Sequence, residues 1–420
     1  MRPCRKAFSV QEKKHFFYGW VIVFLCSVVI LIHYGIGYNI LTAFNIPICE
    51  STGITRQEYA VMYTLMSIGQ IAASLQAAKI IKRIGLMNFI RAGSILFILT
   101  TLFSCFVRTP LMLWLVGLIY GPTFISGGFF ALSIIIANWF KEKRGTATGI
   151  VFMSSGLGSV FMLPLANTWI ESFGWQKAKL MFTLISLVLI PVVFFLLKEK
   201  PEDMGLKAYG ADSVQTKAPA EEDLWGYERK DLYRLPGAWL FLLFIIGTNF
   251  TTSTGNTMMP YLRDLGYSSA FATRVQSLNM LSLAIGRILA GFLSDKFSVR
   301  KSGGVCVLLS PLMIIGAMLC RDHSWGIPVL IVGYGIAMAV NSVFVTLLTG
   351  KIFGRKNFSS VYGLFSSVGA LMGASSPLIY GRIFAQTGSY YPAYTLYLGI
   401  VICGVIAFFA ASAITKPKKD

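Results

Sequence analysis

Apolar runs of about twenty residues, each closed by charged or turn-forming residues, follow one another along most of the chain. They lie near 18–45, 58–80, 89–107, 111–138, 145–167, 177–197, 236–260, 269–293, 302–320, 325–349, 359–383 and 391–414. An α-helix rises about 1.5 Å per residue, so each run is long enough to cross a hydrocarbon core roughly 30 Å thick. The pattern predicts an all-α membrane protein with twelve transmembrane helices, called spans 1 to 12 below. The first twenty residues are basic, but their apolar continuation is too long for a cleaved leader and is read as a retained first span. Only residues 198–235 form a long polar stretch, rich in charge, Pro and Gly. They read as a solvated linker between two six-helix bundles, residues 1–197 and 236–420.

A single offset of 213 residues supports the two-bundle reading. It pairs Pro47 with Pro260, Gly53 with Gly266, Phe140 with Phe353, Gly156 with Gly369 and Pro164 with Pro377. Five such matches in register imply a duplicated architecture, which transporters use to place a site between the repeats.

Composition agrees: of 420 residues 55% are hydrophobic and only 13% charged. The net charge of +19 need not imply a nucleic-acid partner, because the basic residues sort by side of the membrane. With both termini placed in the cytoplasm, twenty-one Lys and Arg fall on that side, among them Lys82, Arg83, Lys141, Arg144 and Lys296. Seven fall outside: Arg56, Arg108, Lys177, Lys179, Arg263, Arg274 and Arg321. This asymmetry predicts a multi-pass protein of the plasma or inner membrane with both termini cytoplasmic. The seven cysteines are scattered and form neither a disulfide framework nor a metal-ligand spacing. No nucleophile–base pair or phosphate loop stands at useful spacing, so neither an enzyme nor a bound cofactor is expected.

The residue that most needs explaining is Arg287, deep in span 8. A guanidinium there costs at least about 2.5–3.5 kcal/mol on insertion scales and calls for an anionic partner. Gln276, Met280, Leu283 and Arg287 share one helical face, and none is acidic. The missing anion is therefore a candidate substrate. Weaker candidates are the polar and aromatic stripes that face other helices or a cavity: Tyr34, Tyr38 and Asn39 in span 1, Tyr120 in span 4, Asn249, Ser253 and Asn256 in span 7, and Tyr334 and Asn341 in span 10. His33, a lone membrane histidine, reads as a packing residue before it reads as a proton carrier.

After span 8 comes Gly291-Phe-Leu-Ser-Asp295-Lys296-Phe-Ser-Val-Arg300-Lys301. This resembles the cytoplasmic loop signature of the major facilitator superfamily, in which an acid followed by basic residues caps a neighbouring helix in one conformation. The resemblance runs over essentially the whole chain and implies the major facilitator fold. The equivalent first-half loop, Ala78-Lys-Ile-Ile-Lys82-Arg83-Ile-Gly85, puts Lys82 where the acid belongs, so an asymmetric gate is expected, with Asp295, Lys82 and Arg144 as its residues. Phe16-Phe-Tyr-Gly-Trp20, Asn138-Trp-Phe-Lys-Glu-Lys-Arg144-Gly145-Thr-Ala-Thr-Gly149 and Gly286-Arg287 together look like the oxalate/formate antiporter and monocarboxylate porter branch. In that branch the span 8 arginine binds the substrate carboxylate, a role the resemblance carries onto Arg287.

Two departures narrow the analogy. Oxalate antiporters carry a lysine in span 11, where this chain has Val368. Proton-coupled animal monocarboxylate porters place a lysine in span 1 and an aspartate one turn before the arginine; here that position is Leu283. The expected function is secondary active transport of small organic anions, monocarboxylates in particular, by alternating access of a monomer in the lipid bilayer. Its rivals are transport of another carboxylate-bearing or neutral metabolite, and a membrane sensor that moves nothing.

Overall fold

The computed structural model describes residues 17–211, 225–354 and 356–414, without some side chains, those of Ser253 and Asn256 among them. The basic N-terminus and the C-terminal Lys416, Lys418 and Lys419 lie outside the described residues. The described chain is almost wholly helical, and each predicted run is a span. In order they are Gly19–Thr52, Arg56–Ile84, Leu86–Phe106, Pro110–Trp139, Arg144–Phe173, Trp175–Leu196, Pro236–Asp264, Ser269–Phe297, Val299–Leu319, Gly326–Ile352, Phe358–Thr387 and Tyr391–Ile414. Among the described residues span 7 is apolar over Pro236–Thr251 and span 11 over Phe358–Gly373. Spans 2, 7 and 11 present polar residues to the space between the halves.

The repeat is visible in the backbone. Gly53 ends span 1 at φ +74° and Gly266 follows span 7 at φ +88°, a left-handed conformation that glycine adopts without Cβ strain. Beyond Gly53, span 2 opens with a reciprocal cap. Thr55 accepts from the Glu58 N–H at 3.2 Å while its own N–H donates to Glu58 Oε2 at 2.8 Å. Span 1 is interrupted by a π-helical turn at Gly35–Asn39 and span 10 by another at Val340–Phe344. Span 4 breaks at Gly127-Gly128. Such irregular turns cluster at functional sites because they re-aim side chains out of the helical register.

Within the first half span 2 packs on span 4 and span 1 on span 5; within the second, span 7 packs on span 12 and span 9 on span 10. Two seams join the halves, span 5 with span 8 and span 2 with span 11. The repeat exchanges one seam for the other. At the first, a Cβ on Gly145 would meet the Gly291 carbonyl oxygen and one on Gly149 would meet that of Arg287, so both glycines are required for the approach. At the second, a Cβ on Gly363 would meet the Ser74 carbonyl oxygen, and the Ser74 and Ser367 hydroxyls are 2.5 Å apart. These contacts hold the halves together at the end that carries the basic loops.

Two sequence expectations need correction. The flanks of the linker are not a free tether. Tyr209 bridges to Phe140 and Gly226 to Gly354, with the Tyr209 N–H donating to the Trp139 carbonyl at 2.9 Å and the Tyr227 N–H to the Phe353 carbonyl at 3.0 Å. Aromatic packing explains the docking, since Tyr209 lies 5.3 Å from Phe17 and 5.9 Å from Phe140, centroid to centroid. Nor is Lys179 an outer loop charge. It is 2% exposed inside the first half, with Nζ 4.5 Å from the centre of the Phe44 ring, an arrangement in which the ring face offsets part of the cost of burying the ammonium.

Candidate functional site

Between the halves lies a cavity of about 390 Å³. Of the sequence candidates, Tyr34, Tyr38, Asn249, Tyr334 and Asn341 line it. Tyr38, on the π-helical turn of span 1, is 42% exposed in its mouth. Asn341, on the π-helical turn of span 10, accepts a hydrogen bond from Thr248 at 3.3 Å, while Asn249 Nδ2 donates to the Ile245 carbonyl of its own helix at 2.9 Å. Among the described residues none that lines the cavity carries a charge.

Arg287 lies at the edge of this space rather than in its wall, 6% exposed. Its guanidinium carbon sits 5.3 Å from the centre of the Phe129 ring, and Phe129 lines the cavity. Tyr34 and Tyr334, also in the lining, interact electrostatically with it. Nε donates to Ser342 Oγ at 3.0 Å, and Nη1 donates to the Phe152 carbonyl at 2.7 Å and to Ser155 Oγ. Among the described residues Nη2 donates to no protein oxygen, and no carboxylate pairs with the group. Buried guanidinium is thus held by neutral acceptors and keeps one nitrogen for something else.

Two candidates are elsewhere. Asn39 shares the π-helical turn with Tyr38, but its Nδ2 points away from the cavity and donates to the Ser155 carbonyl at 2.9 Å. Tyr120 is fully buried within the first half, where its hydroxyl donates to Thr101 at 3.0 Å. Periodicity marks a polar stripe but not which neighbour it faces. His33 is also buried in the first half, with Nδ1 2.9 Å from the Val29 carbonyl and its ring 4.5 Å from Phe97.

Sequence reasoning missed Ser67 and Gln70 in span 2 and Tyr362 and Ser366 in span 11, all of which line the cavity. Their spacing held a signal. Tyr63, Ser67, Gln70 and Ser74 follow a 4-3-4 rhythm on one face, and Tyr362, Ser366 and Gly369 a 4-3 rhythm on the helix that meets it.

At the basic end Asp295 caps span 5. Oδ1 accepts from the Gly145 N–H at 2.8 Å, and Oδ2 accepts from the Thr146 N–H and hydroxyl, both at 2.7 Å. Arg144, buried at the first position of that helix, lies directly beside these amides. A carboxylate here meets both the orphan N–H groups and the positive end of the helix dipole. Lys82, in the last turn of span 2, is exposed, and span 11 starts after Asn357 with no side-chain cap.

Comparison with known proteins places this architecture. The model of the Major Facilitator Superfamily matches residues 25–377 and 248–420. Human monocarboxylate transporter 11 is 24% identical over 404 residues, covering 92% of this chain and 81% of that protein. A gallate transporter of Pseudomonas putida is 22% identical over 441 residues, covering 95% of each. Among solved structures, the proton:xylose symporter XylE superposes with a TM-score of 0.70 at 12% identity, covering 95% of this chain and 99% of that one. The Escherichia coli fucose:proton symporter gives 0.66 at 14% identity, covering 96% and 100%. With the family model matched along nearly its whole length and twelve spans in two bundles, the chain belongs to the major facilitator superfamily of membrane transporters.

Proposed function

We propose that this protein is a secondary transporter of small organic monoanions that works by alternating access, with Arg287 receiving the substrate carboxylate. The observation that carries the reading is that, among the described residues, one guanidinium with an Nη2 that donates to no protein oxygen lies beside a cavity lined by no other charge. A monocarboxylate matches it charge for charge. A dicarboxylate would leave its second group without a cation, and an imperfectly paired ion in a low-dielectric site carries a penalty of several kcal/mol, where about 1.4 kcal/mol is tenfold in affinity. The names of the human and Pseudomonas relatives point to the same class.

The walls refine the class. Seven rings, Tyr34, Tyr38, Phe124, Phe129, Tyr334, Tyr362 and Phe365, surround a volume of about 390 Å³, far more than formate fills. Cavities that bury small-molecule ligands run from about 300 to 1,000 Å³. The best-matched substrate has one carboxylate and an apolar or aromatic body, with the tyrosine hydroxyls, Gln70 and Asn341 ready for its polar substituents. The surplus of basic residues supports taking the closed end as cytoplasmic, with the cavity opening outward from a plasma or inner membrane. We take residues 1–197 and 236–420 as the moving bundles and 198–235 as their connection, acting in one polypeptide.

The test is uptake into proteoliposomes of purified protein with competition by formate, lactate, benzoate, oxalate and succinate at a pH where all are ionised. Benzoate and lactate should compete, benzoate more strongly, and the dianions weakly. Strong inhibition by oxalate or succinate with none by the monoanions would refute the single-cation reading. Absence of counterflow for every bound ligand would make the protein a sensor.

A further inference from the structure

The hydrogen bonds of Arg287 run in two directions. Nε stays in its own half, on Ser342 of span 10; Nη1 crosses the seam to the Phe152 carbonyl and the Ser155 hydroxyl of span 5. The receiving side is itself braced. Ser155 Oγ donates to the Phe152 carbonyl at 3.0 Å, and the Ser155 carbonyl accepts from Asn39, next to the cavity-lining Tyr38. The guanidinium next to the cavity is therefore also a tie across the closed end, about two turns inward of the Asp295 cap on the same pair of helices.

These two tasks draw on the same nitrogen. A carboxylate pairs best with two donors of the planar fork, and Nε is engaged with Ser342, so a bidentate grip on Nη1 and Nη2 takes Nη1 from span 5. A ligand moves a conformational equilibrium only through a difference in its interactions with the two states. Here the difference is explicit. With the basic end closed, a carboxylate must displace the Phe152 carbonyl and Ser155; with that end open and the helices apart, it displaces nothing.

We propose that the substrate carboxylate releases the closed end by drawing Arg287 Nη1 away from Ser155 and the Phe152 carbonyl, with Ser155 as the positioning residue through which occupancy of the site is sensed. This rests on the carboxylate reading of Arg287. Asp295 remains bound to span 5, so occupancy biases the gate and thermal motion completes the opening.

The experiment measures the distance distribution between spin labels at the exposed Asn88 and Lys356, one in each half at the basic end, in a cysteine-depleted background. In empty protein, Ser155→Ala should raise the ratio of open to closed by about fivefold, the worth of one hydrogen bond. Ser342→Ala leaves the crossing bonds in place and should not shift the empty distribution. Net efflux of lactate relative to lactate exchange should rise about as much in Ser155→Ala, because the empty carrier returns more freely. Saturating benzoate should move the wild type toward open and move Ser155→Ala by a smaller factor. If proteoliposomes carry lactate or benzoate yet Ser155→Ala leaves the empty distribution unchanged, the proposal is overturned while the carboxylate reading stands. An equal shift in Ser342→Ala would also overturn it, by showing general loosening. If Ser155→Ala opens the empty protein but no carboxylate shifts the wild type or crosses the membrane, the carboxylate reading fails and the release step falls with it.

Discussion

The two seams between the halves are copies of one another in the repeat, yet they are held by different chemistry. The span 5–span 8 seam carries the Asp295 cap and the Arg287 tie, with Gly145, Gly149 and Gly291 allowing backbone to approach backbone. Among the described residues the span 2–span 11 seam has one serine pair, Ser74 with Ser367, a single close glycine, Gly363, and an exposed Lys82 where the acid would stand. Duplication thus preserved the geometry of the joint and not its polarity. Charged hydrogen bonds contribute about 1.5–3 kcal/mol and neutral ones about 1 kcal/mol, so parting the first seam should cost more than parting the second.

The largest effect should come from Arg287→Ala, which removes both the carboxylate partner and the tie. Truncating one member of a buried charge pair costs about 2–5 kcal/mol, on the order of 30-fold to several thousand-fold in affinity, and saturable uptake should fall to the level of empty liposomes. Arg287→Lys should recover little, since an ammonium lacks the planar fork. Wild-type kinetics in the alanine variant would remove both the functional reading and the contrast between seams.

Asp295→Asn comes next. It keeps the shape of the cap and loses the charge that three donors of Gly145 and Thr146 share. The open-to-closed ratio should rise about tenfold, with the same label pair as readout. Ser367→Ala, on the neutral seam, should change that ratio by about fivefold at most. A response to Ser367→Ala as large as that to Asp295→Asn would erase the distinction between the seams. The smallest effect is expected from Lys82→Asp, which offers the uncapped start of span 11 a carboxylate. An exposed charge at a helix N-terminus contributes about 0.3 kcal/mol at the low end, so the closed population should grow by less than twofold. An unchanged distribution would mean that Lys82 serves only as a topology charge.

What could be read from the chain follows the same physical divide. Twelve spans were legible because crossing a bilayer imposes a length and an apolarity that no other fold shares, and Gly53 and Gly266 were legible because a left-handed residue leaves few alternatives to glycine. Arg287 stood out because a charge in an apolar run is rare. Its partners did not, because the Phe152 carbonyl exists at every residue and Ser155 is one serine among many. Tyr120 and Asn39 were placed in the wrong company for a related reason. A polar stripe announces that a helix face meets something polar, and whether that is a cavity or the next helix depends on packing that single-helix periodicity does not encode. Ser67, Gln70, Tyr362 and Ser366 were overlooked individually, since only together, on spans 2 and 11, do they make a wall.

The docked linker ends have a consequence for assembly. Residues up to Tyr209 are fastened to the loop after span 4, and residues from Trp225 to the loop after span 10, so each bundle keeps its own end of the connection. The covalent link between them then acts chiefly through effective concentration, holding two finished modules near enough to meet. A chain cut between Ala211 and Trp225, its pieces made together in one membrane, should therefore reassemble into a working carrier whose yield depends on expression level, while its affinity for substrate stays that of the intact protein.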